Sequence, residues 1–190
     1  MTSAIILLGL PGSGKGTQAK LLAERLGYLH ADMGAILRAE AETGGFIAEH
    51  IREVMSHGDL LEDGTILMIF RSWLEENLDN SSGVVLDGIP RRPFQAENIL
   101  EYFRAKGVKD FKTVLLALTP EESEKRLLLR AETEHRGDDV KEVIHERIKA
   151  QTKELQSIVD ILKEQTEYHE VDGMPSIEEV RASVWIVFNL

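Results

Sequence analysis

The sequence predicts an α/β protein of three layers, with helices on both faces of a five-stranded parallel sheet. Short, purely aliphatic runs alternate along the chain with longer stretches in which apolar residues recur at helical spacing. A strand that is apolar at every position is buried on both faces, which is typical of a parallel sheet covered by helices. Strands that alternate with helices form right-handed βαβ units, so this pattern predicts the three layers.

The first predicted unit is a strand, a glycine-rich loop and a helix. The strand is the aliphatic run Ile5–Leu8, and Gly9 ends it. Apolar residues then follow at the spacing i, i+3, i+4 and i+7 of one helix face: Ala19, Leu22, Ala23 and Leu26. Gly27 stands where a glycine commonly ends a helix.

Four further strands are predicted by similar patterns, the last of them weaker than the others: Tyr28–His30, Gly83–Leu86, Thr113–Leu118 and Glu167–Val171. Pro93 occupies a favoured first position of a helix that Gly107 ends. Ser176 and Glu179 have the spacing of a capping box before the last helix.

Two insertions interrupt the alternation. A helix-rich stretch runs from about Met33 to Leu78, where one crossover helix would suffice. The second insertion has predicted helices over Glu121–Ala131 and Val140–Leu162, with the polar break Glu132–Asp139 between them. Surplus chain of this kind more often carries a binding function than it builds the fold. Without a repeat or a linker, we expect residues 1–190 to form a single domain.

Composition excludes several functional classes. The chain of 190 residues carries 22 basic and 33 acidic side chains, a net charge of −11, which argues against a nucleic-acid partner. It has no cysteine, which excludes disulfides, thiol nucleophiles and cysteine-based zinc sites. The longest apolar runs are far shorter than the roughly 18 residues that a membrane span requires. We therefore expect a cytoplasmic protein without a membrane partner.

The loop after the first strand has the pattern of a phosphate-binding loop. Gly9, Gly14 and Lys15 satisfy G-x-x-x-x-G-K at a strand-to-helix junction. Backbone amides of such a loop surround a phosphate, and the helix N-terminus adds partial positive charge. The strict motif ends in Ser or Thr, whereas Gly16 holds that place here and Thr17 follows it.

A second segment follows the third predicted strand. Asp87 stands where phosphate-loop proteins place an acid that organises Mg²⁺ and its waters, although a strand can also end in Asp for turn chemistry. Arg91 leaves the carboxyl edge of the sheet, and its guanidinium suits a phosphate. Gln95 lies two residues into the next helix, where its carboxamide could pair with one edge of adenine.

Both segments resemble a known family. Gly9–Thr17 reads G-x-P-G-x-G-K-G-T, and Asp87–Gln95 follows D-G-F/Y-P-R-x-x-x-Q apart from Ile89. Together they closely resemble the adenylate kinases, which are nucleoside monophosphate kinases. The resemblance implies reversible, Mg²⁺-dependent transfer of the ATP γ-phosphoryl group to AMP, giving two ADP. A monomer is the default expectation for this chain.

The resemblance implies the following site residues. The residues that contact ATP are Gly12, Ser13, Gly14, Lys15, Gly16, Thr17, Arg126, Arg130 and Pro175. The residues that contact AMP are Met33, Arg38, Asp59, Leu60, Leu61, Gly88, Arg91, Gln95, Arg136 and Arg147. The catalytic cations are Lys15, Arg91, Arg130, Arg136 and Arg147, and Asp87 holds Mg²⁺ through water.

An AMP-binding insertion is implied over residues 32–61. Gly34 and Arg38 keep the family spacing, and Arg38 is either a second clamp on the AMP phosphate or a solvated helix arginine. Met33 and Ala35 depart from the family, which has a hydroxyl and an acid there. Met33 offers backbone groups and an apolar wall to adenine. Asp32 either replaces the missing acid near Mg²⁺ or caps the helix that follows, and the cap is favoured.

A short lid is implied over residues 131–139. Arg126 and Arg130 share one helix face, and the resemblance has Arg126 stack near the ATP adenine. Arg147 shares an apolar stripe and needs an anion, either a glutamate or a phosphate, and the resemblance favours phosphate. With no cysteine and no paired histidines, we expect no structural zinc.

Two rival functions stay open. The departures at Met33 and Ala35 are compatible with a kinase for another nucleoside monophosphate, such as UMP or CMP. A nucleotide-responsive binding module without catalysis would bind ATP but form no ADP.

Overall fold

The structure is a computed structural model and describes residues 2–78, 81–134 and 141–190. Its five strands form one parallel sheet in the order β2-β3-β1-β4-β5. The strands are β1 (Ser3–Leu8), β2 (Leu29–Asp32), β3 (Gly83–Asp87), β4 (Asp110–Ala117) and β5 (Glu167–Asp172). The α/β class and the five-stranded parallel sheet predicted from the sequence are confirmed.

The described residues form eight helices. They are α1 (Lys15–Leu26), α2 (Met33–Glu42), α3 (Phe46–Ser56), α4 (Asp63–Asn77), α5 (Pro93–Ala105), α6 (Pro120–Glu134), α7 (Lys141–Gln165) and α8 (Ile177–Val187). None of them, within the described ranges, is long and apolar enough to cross a membrane.

The sheet is covered on both faces because side chains of a strand alternate between its two sides. On β1, Ala4, Ile6 and Leu8 pack into a core with residues of α2, α3, α4, α5 and α7. Ile5 and Leu7 point the other way, into a core with α1 and α8. Parallel strands end at a common edge, so the segments after β1, β2 and β3 meet there.

The helix-rich insertion between β2 and β3 consists of three helices, α2, α3 and α4. Gly44 and Gly45, both with φ of +87°, separate α2 from α3 in a backbone conformation that favours glycine. The insertion therefore starts at the carboxyl edge of the sheet, after β2, and the chain crosses to the opposite, amino edge before β3, because the two strands are parallel.

Several predicted boundaries differ from those observed by a few residues, and the ends of β2 and α6 are two of them. Strand β2 continues to Asp32 instead of ending at His30, because it pairs with β3 as far as Asp32 opposite Asp87. Helix α6 continues to Glu134, so residues 132–134 of the predicted polar break are helical. Glu132 and Glu134 favour a helix there, and no glycine or proline follows before Gly137. Residues 135–139 of the predicted lid lie outside the described residues.

Candidate functional site

The phosphate-binding loop joins β1 to α1 at the carboxyl edge of the sheet. A Cβ at Gly9 would lie 2.5 Å from Ser13 Oγ and 2.8 Å from the Leu116 carbonyl oxygen, so only glycine fits there. Helix α1 begins at Lys15, and Gly14 before it has no side chain to cap the first amides. Those amides face the loop interior as donors for an anion.

Helix α6 packs directly against the phosphate-binding loop. The buried Ser123 hydroxyl donates a hydrogen bond to the Pro11 carbonyl oxygen. A Cβ at Gly12 would lie 3.1 Å from the Ser123 carbonyl oxygen, so helix and loop are in close contact. Sequence reasoning missed Ser123, although it stands four residues before the buried Leu127 and therefore on the inward face of α6.

Lys15 is the centre of a cationic cluster. Its Nζ donates to the Leu10 carbonyl oxygen over 3.3 Å. Burial lowers the pKa of Lys15 to about 8; the nearby Asp87 carboxylate opposes this shift, and the charges of Arg91, Arg147 and Arg130 add to it. A site with this much converging positive charge favours a polyanion.

Asp87 ends β3 and is 6 % exposed. Burial raises its pKa, Lys15 acts in the opposite direction, and the neighbouring Asp32 raises it further. Among the described residues, Asp87 Oδ1 has no hydrogen-bond partner. A Cβ at Gly16 would lie 3.1 Å from Asp87 Oδ2, so the glycine that departs from the strict motif leaves space for this carboxylate.

These carboxylate oxygens fit a hard cation such as Mg²⁺, which prefers oxygen ligands and keeps several waters. In the described ranges, no three His, Cys, Asp or Glu side chains form a group that could hold a metal ion alone. Asp32 Oδ1 accepts a hydrogen bond of 3.0 Å from the Ala35 amide, so the predicted helix cap is confirmed. Asp87 is therefore the side chain best placed to orient water around a cation.

A second cavity lies beside the Lys15 cluster, between the helical insertion, the start of α5 and α7. Its lining includes nine described residues: Gly34, Arg38, Asp59, Leu60, Leu61, Gly88, Arg91, Gln95 and Arg147. Eight of them are residues for which the resemblance implied an AMP contact, and Gly34 is the glycine of the family motif beside Arg38. The structure thus brings together segments that are far apart in the sequence.

Two arginines of this cavity lie over glycines. A Cβ at Gly34 would lie 3.2 Å from the Arg38 guanidinium, one helical turn further on. A Cβ at Gly88 would lie 3.3 Å from the Arg91 guanidinium, whose Nε donates to the Gly88 carbonyl oxygen over 2.8 Å. Each glycine lets a guanidinium lie close to the backbone and face the cavity.

Arg147 reaches the same region from α7. It is half-buried, and a Cβ at Gly58 would lie 3.8 Å from Arg147 Cβ and 2.6 Å from Val143 Cγ1. Helix α7 therefore packs closely against the loop that ends the helical insertion. The inward orientation expected for Arg147 agrees with its place in the cavity lining.

Gln95 is 2 % exposed, and both ends of its amide are hydrogen-bonded. Its Oε1 accepts from the Arg91 amide at 2.7 Å, and its Nε2 donates to Asp63 Oδ1 at 2.8 Å. Arg92 also contacts Asp63, at 3.3 Å. Neither Asp63 nor Arg92 was a candidate from the sequence, because nothing in the pattern links α4 to the start of α5.

The side chain of Met33 is buried. It is 1 % exposed and packs in the core with α4 and α5 residues. Its neighbour Gly34 lines the cavity. The contact of Met33 with AMP, through its backbone groups or its apolar side chain, stays a prediction.

On the other side of the phosphate loop, Arg126 is held by three acceptors. It donates to the Glu122 carboxylate at 3.0 Å and to the carbonyl oxygens of Gly173 and Met174 at 2.9 and 2.8 Å. These contacts fix its guanidinium plane, and Pro175, which follows Met174 in the chain, is exposed. The expected stacking on a nucleotide base stays a prediction.

The structure describes only the part of the predicted lid region that belongs to α6. Arg130 on α6 is close enough to Lys15 to act on its pKa. Arg136 lies outside the described residues.

Gln151 is a residue of the site that sequence reasoning missed. Its Nε2 is buried and has no hydrogen-bond partner among the described residues. Gln151 lies one helical turn after Arg147 and lines a small cavity with Leu10, Lys15 and Arg91. The only indication of Gln151 in the sequence is that it is a single polar residue on an apolar face of a helix.

Comparison with known proteins identifies the family of this chain. A family model described as adenylate kinase matches residues 7–167. Adenylate kinase from Thermus thermophilus is 35 % identical over 181 residues, which cover 95 % of this chain and 94 % of that protein. Adenylate kinase isoenzyme 1 from Sus scrofa is 34 % identical, over 95 % of this chain and 91 % of the relative. Adenylate kinase from Maricaulis maris is 31 % identical, over 95 % of both chains. With its phosphate loop, its cationic cluster and these relatives, the chain belongs to the adenylate kinase family of nucleotide phosphotransferases.

Proposed function

We propose that this enzyme catalyses the reversible, Mg²⁺-dependent transfer of the γ-phosphoryl group of ATP to AMP, with two ADP as products. The observation that carries the proposal is that Lys15 and Arg91 line one small cavity beside the phosphate loop, while Arg91 and Arg147 line the second cavity next to it. The charge of Arg130 also acts on Lys15. Two nucleotides bound in these places would direct their phosphates at one another.

The transfer needs little covalent chemistry from the protein. An AMP phosphate has a second pKa of about 6, so at neutral pH it is already an oxyanion and no general base is needed. One of its oxygens forms a bond to the γ-phosphorus, while the bond from that phosphorus to the β,γ-bridging oxygen breaks and ADP leaves. Lys15 and the arginines neutralise the charge of the transferring group, and arginines in this role are worth about 10³–10⁵ in rate.

Asp87 would hold Mg²⁺ through water, and the ion would supply positive charge to the phosphates of ATP. Asp87 Oδ1, which has no hydrogen-bond partner among the described residues, supports this part of the proposal, because a buried carboxylate beside the phosphate loop can accept hydrogen bonds from metal-bound water. The charge of Lys15 acts against the rise in the pKa of this carboxyl group and so favours its ionised form.

The choice of AMP rests on Gln95. Its buried amide lines the second cavity and retains one acceptor and one donor position for a base. Residues 32–61 would form the AMP-binding insertion and residues 131–139 the lid, and closure of both would exclude water from the transfer. We infer a monomer that acts in the cytoplasm without a nucleic-acid partner.

A coupled assay for ADP tests the proposal directly. With ATP and Mg²⁺ present, we expect AMP to give the highest kcat/KM among AMP, CMP, UMP and GMP. A preference for UMP or CMP would assign the enzyme to another nucleoside monophosphate. Binding of ATP without ADP formation from any of the four would contradict phosphoryl transfer itself.

A further inference from the structure

A network of hydrogen bonds joins the start of α4 to the start of α5 behind the second cavity. Gln95 Nε2 donates to Asp63 Oδ1 at 2.8 Å, and Arg92 donates to the same oxygen at 3.3 Å. Arg92 also donates to the Leu61 carbonyl oxygen at 3.1 Å and to that of Leu60 at 3.4 Å. Asp63 Oδ1 thus accepts hydrogen bonds from both Arg92 and Gln95.

This network allows only one orientation of the Gln95 amide. A carboxylate only accepts hydrogen bonds, so Asp63 requires the amide NH₂ group to face it. The backbone N–H of Arg91 only donates, so it requires the amide oxygen, which it contacts at 2.7 Å. If the amide were reversed, its oxygen would face the Asp63 carboxylate and its NH₂ group would face the Arg91 N–H. Each buried polar group left without a hydrogen bond costs stability.

The fixed orientation has a consequence for base recognition. Gln95 Oε1 keeps one free lone pair and Nε2 one free hydrogen, so the amide offers one acceptor and one donor to a ligand. Adenine presents the complementary pair, an amino donor and a ring-nitrogen acceptor. A 6-oxopurine presents a carbonyl acceptor and an N–H donor instead, which matches only the reversed amide.

We propose that Asp63 is a specificity-determining positioning residue, which fixes the polarity of the Gln95 amide and thereby favours adenine over 6-oxopurines at the acceptor site. Arg92 assists by keeping the Asp63 carboxylate in place. The role of Asp63 rests on AMP being the acceptor, as proposed above.

The test compares AMP with IMP, because their bases differ only in the group at position 6 and in the hydrogen on the adjoining N1. Asp63→Asn has nearly the same shape, but it can turn its NH₂ group towards Gln95, so that only the Arg91 backbone N–H still opposes the reversed amide. We expect the ratio of kcat/KM for AMP to that for IMP to fall about tenfold in this variant, with KM for ATP within twofold of wild type. Asp63→Glu keeps an acceptor-only carboxylate and should retain more of the preference.

Glu62→Gln is the matched control. It also removes one negative charge, but the side chain of Glu62 is exposed and pairs with His50. It should leave the AMP to IMP ratio unchanged. Arg92→Met tests the same network without altering Asp63 and should lower the ratio in the same direction, so the result does not depend on one variant folding.

A wild-type ratio in folded Asp63→Asn and Arg92→Met would overturn the role of Asp63. Wild-type enzyme that does not prefer AMP over CMP and UMP would instead contradict the proposed acceptor. The two failures are therefore distinguishable in one set of assays.

Discussion

Lys15 and Asp87 lie close enough to shift each other's pKa at the buried centre of the site. Each charge stabilises the other, yet burial outweighs the attraction, so the pKa of Lys15 falls to about 8 and the pKa of Asp87 rises. The ammonium group is therefore held at a cost to the folded protein. Such a cost is typical of functional sites, where a bound ligand supplies the missing partner.

Replacement of Lys15 should separate activity from stability. In Lys15→Met we expect phosphoryl transfer to fall more than tenfold, because the ammonium that meets the transferring group is gone. Thermal unfolding at neutral pH should not be lowered, since a poorly solvated charge has been removed. Steady-state kinetics and calorimetry measure both. Lys20→Met, on the exposed side of α1, is the control, and Lys15→Met retaining more than a tenth of wild-type activity would contradict the role of Lys15.

The pH dependence of kcat/KM for ATP should report the same group. Only protonated Lys15 carries the charge that meets ATP, and its pKa in the free enzyme is about 8. We therefore expect kcat/KM to decline as pH rises above about 8, approaching a tenfold loss per pH unit. A profile that stays level to pH 10 would mean that the lysine keeps its ordinary pKa of about 10.4.

The same shift predicts a pH effect on folding. The pKa of Lys15 is lower in the folded chain than its ordinary value, so between these two pH values the unfolded chain binds more protons. The contribution of Lys15 to the free energy of unfolding should therefore increase as pH rises through this window. Denaturant titrations of wild type and Lys15→Met at several pH values measure it as the difference between the two proteins. If the difference in free energy of unfolding between wild type and Lys15→Met were constant with pH, the predicted pH effect would be refuted.

Gln95 should affect the acceptor nucleotide more than ATP. In Gln95→Met we expect KM for AMP to rise about tenfold, since the side chain keeps its volume but loses both polar groups. KM for ATP should stay within twofold of wild type, because the phosphate loop is untouched. Equal losses for the two nucleotides would place Gln95 outside the acceptor site.

Gly34 should matter through Arg38. A Cβ in Gly34→Ala would lie 3.2 Å from the Arg38 guanidinium and displace it, so we expect a several-fold rise in KM for AMP. Gly64→Ala is the matched control, because no atom lies within 4 Å of its added Cβ. That change lies within α4 and should add up to about 1 kcal/mol of stability with unchanged kinetics. Unaltered KM for AMP in Gly34→Ala would argue that Arg38 is a solvated helix residue.

Much of the site could be predicted from the sequence because its parts are local. The loop Gly9–Thr17 and the segment Asp87–Gln95 are short motifs at the ends of apolar strands, and a parallel sheet brings such ends to one edge. The cap by Asp32 follows from the chemistry of a single residue and its neighbours. Each of these features is independent of distant packing.

The remainder depends on contacts between distant segments. Asp63 and Gln95 are separated by more than thirty residues, and their hydrogen bond exists only because α4 and α5 begin side by side. The burial of Met33 depends on the same kind of packing, since its side chain lies in the core with residues of α4 and α5. Gln151 was hidden for a similar reason, because the cavity beside it is lined by the loop after β1 and by the segment between β3 and α5.

A crystal structure with a bisubstrate dinucleotide, in which two adenosines are joined by a chain of phosphates, tests the central claim most directly. We expect one adenosine beside Arg126, the other beside Gln95, and the phosphates between Lys15 and Arg91. Phosphates bound elsewhere, with Lys15 and Arg91 turned to solvent, would contradict the account of how this enzyme brings its two nucleotides together.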